Sequence, residues 1–146
     1  MGRTMRWLAV AALLTAACSA TDPEPIEPNA DQNAADVQAA LDQTFTLKVG
    51  QQARIAGSDI TVLFRSVPSD SRCPVDVQCV WAGSARVVVA AGGADVGLNT
   101  GEDPRSARVD GYRLELTKLE PEPRSDAQIR PADYIATFVV TRVSSQ

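Results

Sequence analysis

From residue 44 onward, apolar and polar residues alternate with a period of two. T-F-T-L-K-V sets Phe45, Leu47 and Val49 against polar neighbours, and Y-R-L-E-L-T-K-L puts Tyr112, Leu114 and Leu116 on one side. Successive side chains of a strand point to opposite faces, so this is the pattern of strands with one buried face. I-T-V-L-F-R from Ile60 and A-R-V-V-V-A-A from Ala85 are apolar on both faces over most of their length, and Y-I-A-T-F-V-V-T-R-V from Tyr134 is rich in aromatic and β-branched residues. All three suit strands. Gly57-Ser58, Gly92-Gly93 and Asp110-Gly111 are two-residue hairpin signals, because glycine and aspartate tolerate positive φ. The pattern predicts about eight strands, over 44–49, 52–56, 59–67, 80–91, 94–99, 106–109, 112–119 and 134–143. Two longer connections interrupt them, one before residue 80 and one over 121–133. Short strands joined by hairpins, with no helix of ordinary length among them, predict an all-β chain. The expected architecture is a single small antiparallel β-sandwich over 44–146, favoured over a small barrel because several strands keep a polar face.

The first residues read differently. Arg3 and Arg6 precede the apolar run W-L-A-V-A-A-L-L-T-A-A over 7–17. That run is too short to span a hydrocarbon core, which takes roughly 20 residues as a helix. A short apolar run behind positive charge and ahead of small residues is expected to be a signal peptide, residues 1–17. L-T-A-A-C, ending at Cys18, resembles the lipobox of bacterial lipoproteins, with Thr15 where leucine is commonest. The resemblance implies cleavage before Cys18, a diacylglycerol on its thiol and an acyl chain on the new amine. Each buried methylene contributes about 0.8 kcal/mol, so three chains hold a membrane far longer than one. The alternative is ordinary cleavage near Ala17 with an incidental cysteine. Ser19, rather than aspartate, follows Cys18, which resembles an outer-membrane address. The expected location is the bacterial envelope, on the outer membrane or the periplasmic face of the inner one.

Residues 18–43 are expected to be the lipidated cysteine and an acidic tether. Residues 19–43 hold three prolines and six acids and no base. Such a segment cannot bury enough apolar surface to offset its ordering entropy. A brief helix over 33–42 is the one local element its pattern suggests, with Val37, Ala40 and Leu41 on one side. Residues 44–146 carry twelve Arg or Lys and twelve Asp or Glu, so the domain is neutral and the tether supplies the excess negative charge. No basic stripe exists to follow a phosphate backbone, and no nucleic-acid partner is expected. The expected partners are the membrane, through the N-terminal lipid, and an envelope protein; the domain itself is expected to be a monomer.

Export changes the meaning of D-S-R-C-P-V-D-V-Q-C-V-W-A-G, residues 70–83. In an oxidising compartment thiols pair, and with Cys18 taken by lipid, Cys73 and Cys79 are the remaining two. Closing so short a ring contributes about 2.4 kcal/mol in chain entropy. The structural reading is a stapled corner leading into a strand at Val80, with the Trp81 ring packed beside the bridge and Gly83 permitting a bulge or close approach. A disulfide-shaped binding loop, a redox pair and a metal site are the alternatives. Metal is disfavoured because the chain has no histidine to complete a tetrahedral site. A redox pair is disfavoured because two intervening residues at a helix start are usual, not five. The motif D-S-R-C-P-x4-C-x-W-A-G, with the later L-N-T-G over 98–101 and G-Y-R-L-E-L-T-K-L-E-P over 111–121, resembles a group of small exported bacterial proteins of unknown function. The likeness covers roughly residues 44–143 and implies a shared compact β domain after a signal; it implies no activity.

Catalytic chemistry finds little purchase. Without histidine there is no Ser-His-Asp triad. Lys48 and Lys118 are expected at outward positions of amphipathic strands. The pairs Glu102–Asp103 and Glu120–Glu122 could serve carboxylate hydrolysis, but both sit in turn-like segments beside prolines. Asp95, Glu102, Asp103 and Asp110 show no calcium-loop spacing. No catalytic residue, metal ligand or cofactor is therefore assigned. Asp70 and Arg72 are expected to pair with each other, or with Arg86 and Asp76, to hold the corner; alternatively they project beside Trp81 as a charged knob. The leading expectation is a lipid-anchored binding or scaffolding module that is not an enzyme. Its contact surface would be Asp70, Arg72 and Trp81 with the loop at Asn99 and Thr100. The alternatives are an inhibitor of an extracytoplasmic hydrolase acting through the disulfide loop, and a carboxylate-based hydrolase.

Overall fold

The structure, a computed structural model, describes residues 36–144. The expected signal peptide, Cys18 and most of the tether lie outside the described residues. Among the described residues there is no α-helix; nine strands form two sheets, and the fold is an all-β sandwich. In chain order they are β1 (Val37–Ala40), β2 (Thr44–Lys48), β3 (Gln52–Ala56), β4 (Thr61–Asp70), β5 (Ala85–Ala91), β6 (Ala94–Asn99), β7 (Ser106–Val109), β8 (Tyr112–Glu120) and β9 (Ile135–Arg142). One sheet has the order β1-β3-β4-β5-β6, the other β2-β9-β8-β7.

Alternation places one face of each strand in the core. Phe45 and Leu47 of β2, Val62 and Phe64 of β4, Val87 and Val89 of β5, and Ala136, Phe138 and Val140 of β9 are all buried. Phe138 joins the layers: its ring lies 6.0 Å from Phe64 of the opposite sheet, edge to face, and 6.0 Å from Phe45 on its own sheet. Such aromatic pairs add about 0.5–1.5 kcal/mol beyond the area they bury. The three hairpin signals all lie at turns, and Gly57, Gly92, Gly93, Asp110 and Gly111 all have positive φ. Strict alternation after Leu114 and Leu116 would carry Lys118 inward. A bulge between Leu116 and Lys118 shifts the phase instead, so Leu119 is buried and Lys118 faces solvent.

Two segments correct the sequence reading. The tether was expected to run to residue 43, with a short helix. Instead Val37–Ala40 is a strand, paired in parallel with β3 through Val37–Ala53 to Ala40–Ala56. The Asp36 carboxylate takes hydrogen bonds from Gln52 and Arg54, so its pairing partner, not its own pattern, decides the segment. The strand expected from residue 80 begins at Ala85. Residues 80–84 are held as loop, because Ser71 donates to the Ser84 carbonyl at 2.9 Å and Cys73 to that of Ala82 at 2.8 Å.

Antiparallel wiring sorts the connections by end. β3 pairs with β4 through Gln52–Leu63 and Arg54–Thr61, and β4 with β5 through Val62–Ala91 and Asp70–Ala85. The hairpins at 57–60, 92–93 and 110–111 therefore share one pole. The connections 71–84, 100–105 and 121–134 share the other. β1, parallel to β3, runs toward the hairpin pole, and its first residue, Val37, is level with Ala53, Val62 and Ala91.

Candidate functional site

The loop pole is built on the end of β4. Asp70 and Arg72 form a close ion pair, Nη2 to Oδ2 at 2.6 Å, with side chains only 10 and 13% exposed. The Arg72 Nε also donates to Asp70 Oδ1 at 2.9 Å, making the pair bidentate. The remaining guanidinium donors reach across the pole, to the Leu119 carbonyl at 2.7 Å and the Pro121 carbonyl at 2.9 Å. The Tyr134 hydroxyl completes the cluster, donating to Asp70 Oδ2 at 3.0 Å. A planar fork with its donors satisfied on both sides is the geometry in which arginine is worth burying. Burial alone would raise the Asp70 carboxyl, but hydrogen bonds from Arg72, its charge and the Tyr134 hydroxyl outweigh that and hold it below its ordinary value. Burial, then the hydrogen bond to Asp70 and its charge, push the Tyr134 phenol up to about 12.

Of the two arrangements considered for Asp70 and Arg72, the structure therefore has them paired with each other. Asp76 turns instead to Ser125, taking hydrogen bonds from its amide and hydroxyl. Arg86 lies over Gly97 of the neighbouring strand, where a side chain on the glycine would meet its guanidinium.

Cys73 and Cys79 are joined by a disulfide, with Cα atoms 5.9 Å apart. The bridge closes the loop, and its base is pinned on both sides. Val75 donates to the Pro123 carbonyl at 3.0 Å, and the Ser71 hydroxyl to the Ser84 carbonyl at 2.8 Å. Gly83 lies against the start of the loop with φ +67°; a Cβ there would sit 1.8 Å from the Ser71 carbonyl oxygen. The close approach expected at this glycine is present. Gly101 approaches from the next loop, where a Cβ would fall 2.3 Å from the Gly83 carbonyl oxygen.

What the pinned loop carries is apolar and exposed. Trp81 is 82% exposed and Val80 89%, and Val75 and Val77 are exposed beside them. These are the large exposed hydrophobic residues among the described ones, and all four fall within one loop. Trp81 thus corrects the expectation of a ring packed beside the bridge. The corner is closed by backbone hydrogen bonds, by Gly83 and by Arg72, and needs no tryptophan.

Asn99 and Thr100 belong to the framework. Asn99 is buried and its side-chain amide donates to the Asp103 carbonyl at 3.2 Å, while the Thr100 hydroxyl accepts from the Ala85 amide at 2.9 Å. Of the five residues expected to form a contact surface, Trp81 alone is exposed; Asp70, Arg72, Asn99 and Thr100 hold the pole that presents it. Sequence reasoning missed Tyr134 as the partner of Asp70 and Ser125 as the partner of Asp76, because no local signal links positions 64 or 49 residues apart. Glu102, Asp103 and Glu122 are exposed, and Glu120 pairs with Lys118 at 2.8 Å. Among the described residues no group of three or more His, Cys, Asp or Glu is placed to hold a metal ion. No helix among them is long and apolar enough to cross a membrane. No family model, curated protein or solved structure matches this chain.

Proposed function

We propose that the protein is a lipid-anchored binding or scaffolding module of the bacterial envelope, and that the disulfide loop is its contact element. The observation that carries this is the confinement of exposed large apolar side chains to one covalently closed, hydrogen-bonded loop. Isolated apolar residues scattered over a surface need no explanation, but several in one loop, tryptophan among them, mark a contact. Ordering such a loop before it meets a partner removes much of the entropic cost of binding. The Asp70–Arg72–Tyr134 cluster supplies the order from below and the bridge supplies it from above.

A photocrosslinking side chain in place of Trp81 tests the proposal in intact cells. Adducts are expected from that position and not from the same group in place of Gly93 at the hairpin pole. Equal labelling from both positions, or none from either, contradicts it. The same rigidity supports a second reading, an inhibitor that presents the loop to the cleft of an extracytoplasmic hydrolase. Inhibition of a purified envelope hydrolase that disappears when the bridge is reduced would favour that reading.

A further inference from the structure

Resting on the anchored reading, we infer that the occupant of the loop tip is the bilayer itself: Trp81, Val80, Val77 and Val75 insert at the membrane–water interface and stand the sandwich on its loop pole. Three observations point there together.

The first is direction. β1 runs away from the loop pole, and Asp36 precedes Val37 on the loop side, hydrogen-bonded to Gln52. Val37 is level with Ala53 and hence with Val62 and Ala91, while Asp70 is level with Ala85. At about 3.3 Å per residue along β5, the base of the disulfide loop stands roughly 20 Å beyond the point of entry. Seventeen residues lie between Cys18 and Asp36. A chain of that length reaches at most about 65 Å. That reach exceeds the distance to the loop pole, so an anchor at Cys18 and the loop tip can meet one surface.

The second is composition. Residues 73–83 contain one ionisable side chain, Asp76, and its carboxylate is engaged by Ser125. A tip of Val, Pro, Trp and Ala with its one charge bound to the framework loses little on entering the headgroup region. Tryptophan is favoured at that depth because its ring is apolar and its N–H still finds water or headgroup oxygen. The third is charge. No basic residue lies in the tip or over 19–43, and 19–43 hold six acids. Docking is therefore apolar, needs no anionic lipid, and on zwitterionic lipid is insensitive to salt.

The experiment uses the protein purified from envelopes in its processed form and reconstituted in phosphatidylcholine vesicles. Trp7 lies in the expected signal peptide, which leaves Trp81 as the sole tryptophan. Vesicle flotation and Trp81 emission are read on the same sample. The inference expects co-flotation, emission shifted to the blue, strong quenching by phosphatidylcholine brominated on its acyl chains, and protection from aqueous iodide. Val80→Asp, an exposed position that folding does not need, should keep flotation and lose the bromolipid quenching. Protein that floats while its Trp81 stays open to iodide and silent to bromolipid overturns the inference, leaves the anchored reading standing and turns attention to a protein partner. Protein that does not float with vesicles overturns both.

Discussion

Replacing Arg72 by alanine would strip Asp70 of a bidentate partner and leave the Leu119 and Pro121 carbonyls without their donor. Breaking a largely buried ion pair from one side leaves an uncompensated charge, so Arg72→Ala should cost about 3 kcal/mol in urea unfolding. Arg72→Lys should recover little, since an ammonium cannot reproduce the fork. Tyr134→Phe removes one hydrogen bond to the same carboxylate and should cost about 1–2 kcal/mol. The pH profile separates the members of the cluster. Asp70 titrates below its ordinary 3.8 in the folded chain, so its contribution is present above that pH and lost as pH falls through the folded value. Tyr134 is raised from 10.0 to about 12, so its contribution is complete below pH 10.0 and is lost as pH rises toward 12. Tyr134→Phe should abolish that alkaline loss, which stability measured across this window would show; an unchanged alkaline limb would place the phenol elsewhere. Gly83→Ala should also destabilise by more than about 1 kcal/mol, because positive φ and a blocking carbonyl oppose the new Cβ together.

Among the elements, the disulfide loop and the sheets are separable. Cys73 and Cys79 lie at a pole, outside the buried core. Cys73→Ser with Cys79→Ser should lower stability by about 2.4 kcal/mol while leaving the circular dichroism of the sheets intact. Collapse of the whole spectrum would show that the loop nucleates the sandwich. The strands that alternation and turn residues mark were legible before the fold was known: β2, β3, β6 and β7 fall within a residue or so of expectation, and Asp110-Gly111 and Gly92-Gly93 mark their turns. The pairing of Cys73 with Cys79 was legible as well, from the expected export and the count of thiols. What stayed hidden was decided by partners distant in sequence. Val37–Ala40 has no strand pattern of its own and becomes a strand by adding to the edge of β3. Val80 and Trp81 have strong strand preference, yet closure of the loop through Ser71–Ser84 and Cys73–Ala82 withholds them from β5. That conflict between local preference and observed state falls on the most exposed apolar residues of the described chain, which is where a functional demand rather than a folding demand is expected to act.

At the scale of the whole molecule, the two poles differ in kind. Short glycine turns close one; at the other, three long connections are tied together by Arg72, Asn99, Thr100 and Asp76. The sandwich is thus a rigid mount, and the mounted object is a loop whose apolar residues contribute nothing to the core. Stability and contact should then respond to different substitutions. Arg72→Ala should weaken both, whereas changes at Trp81 or Val80 should alter contact alone. Urea unfolding of Trp81→Ala beside the parent protein, followed by circular dichroism, tests this division most directly. The expected change is within about 0.5 kcal/mol, as for an exposed side chain. A loss of about 3–5 kcal/mol, the cost of deleting a tryptophan from a core, would contradict it.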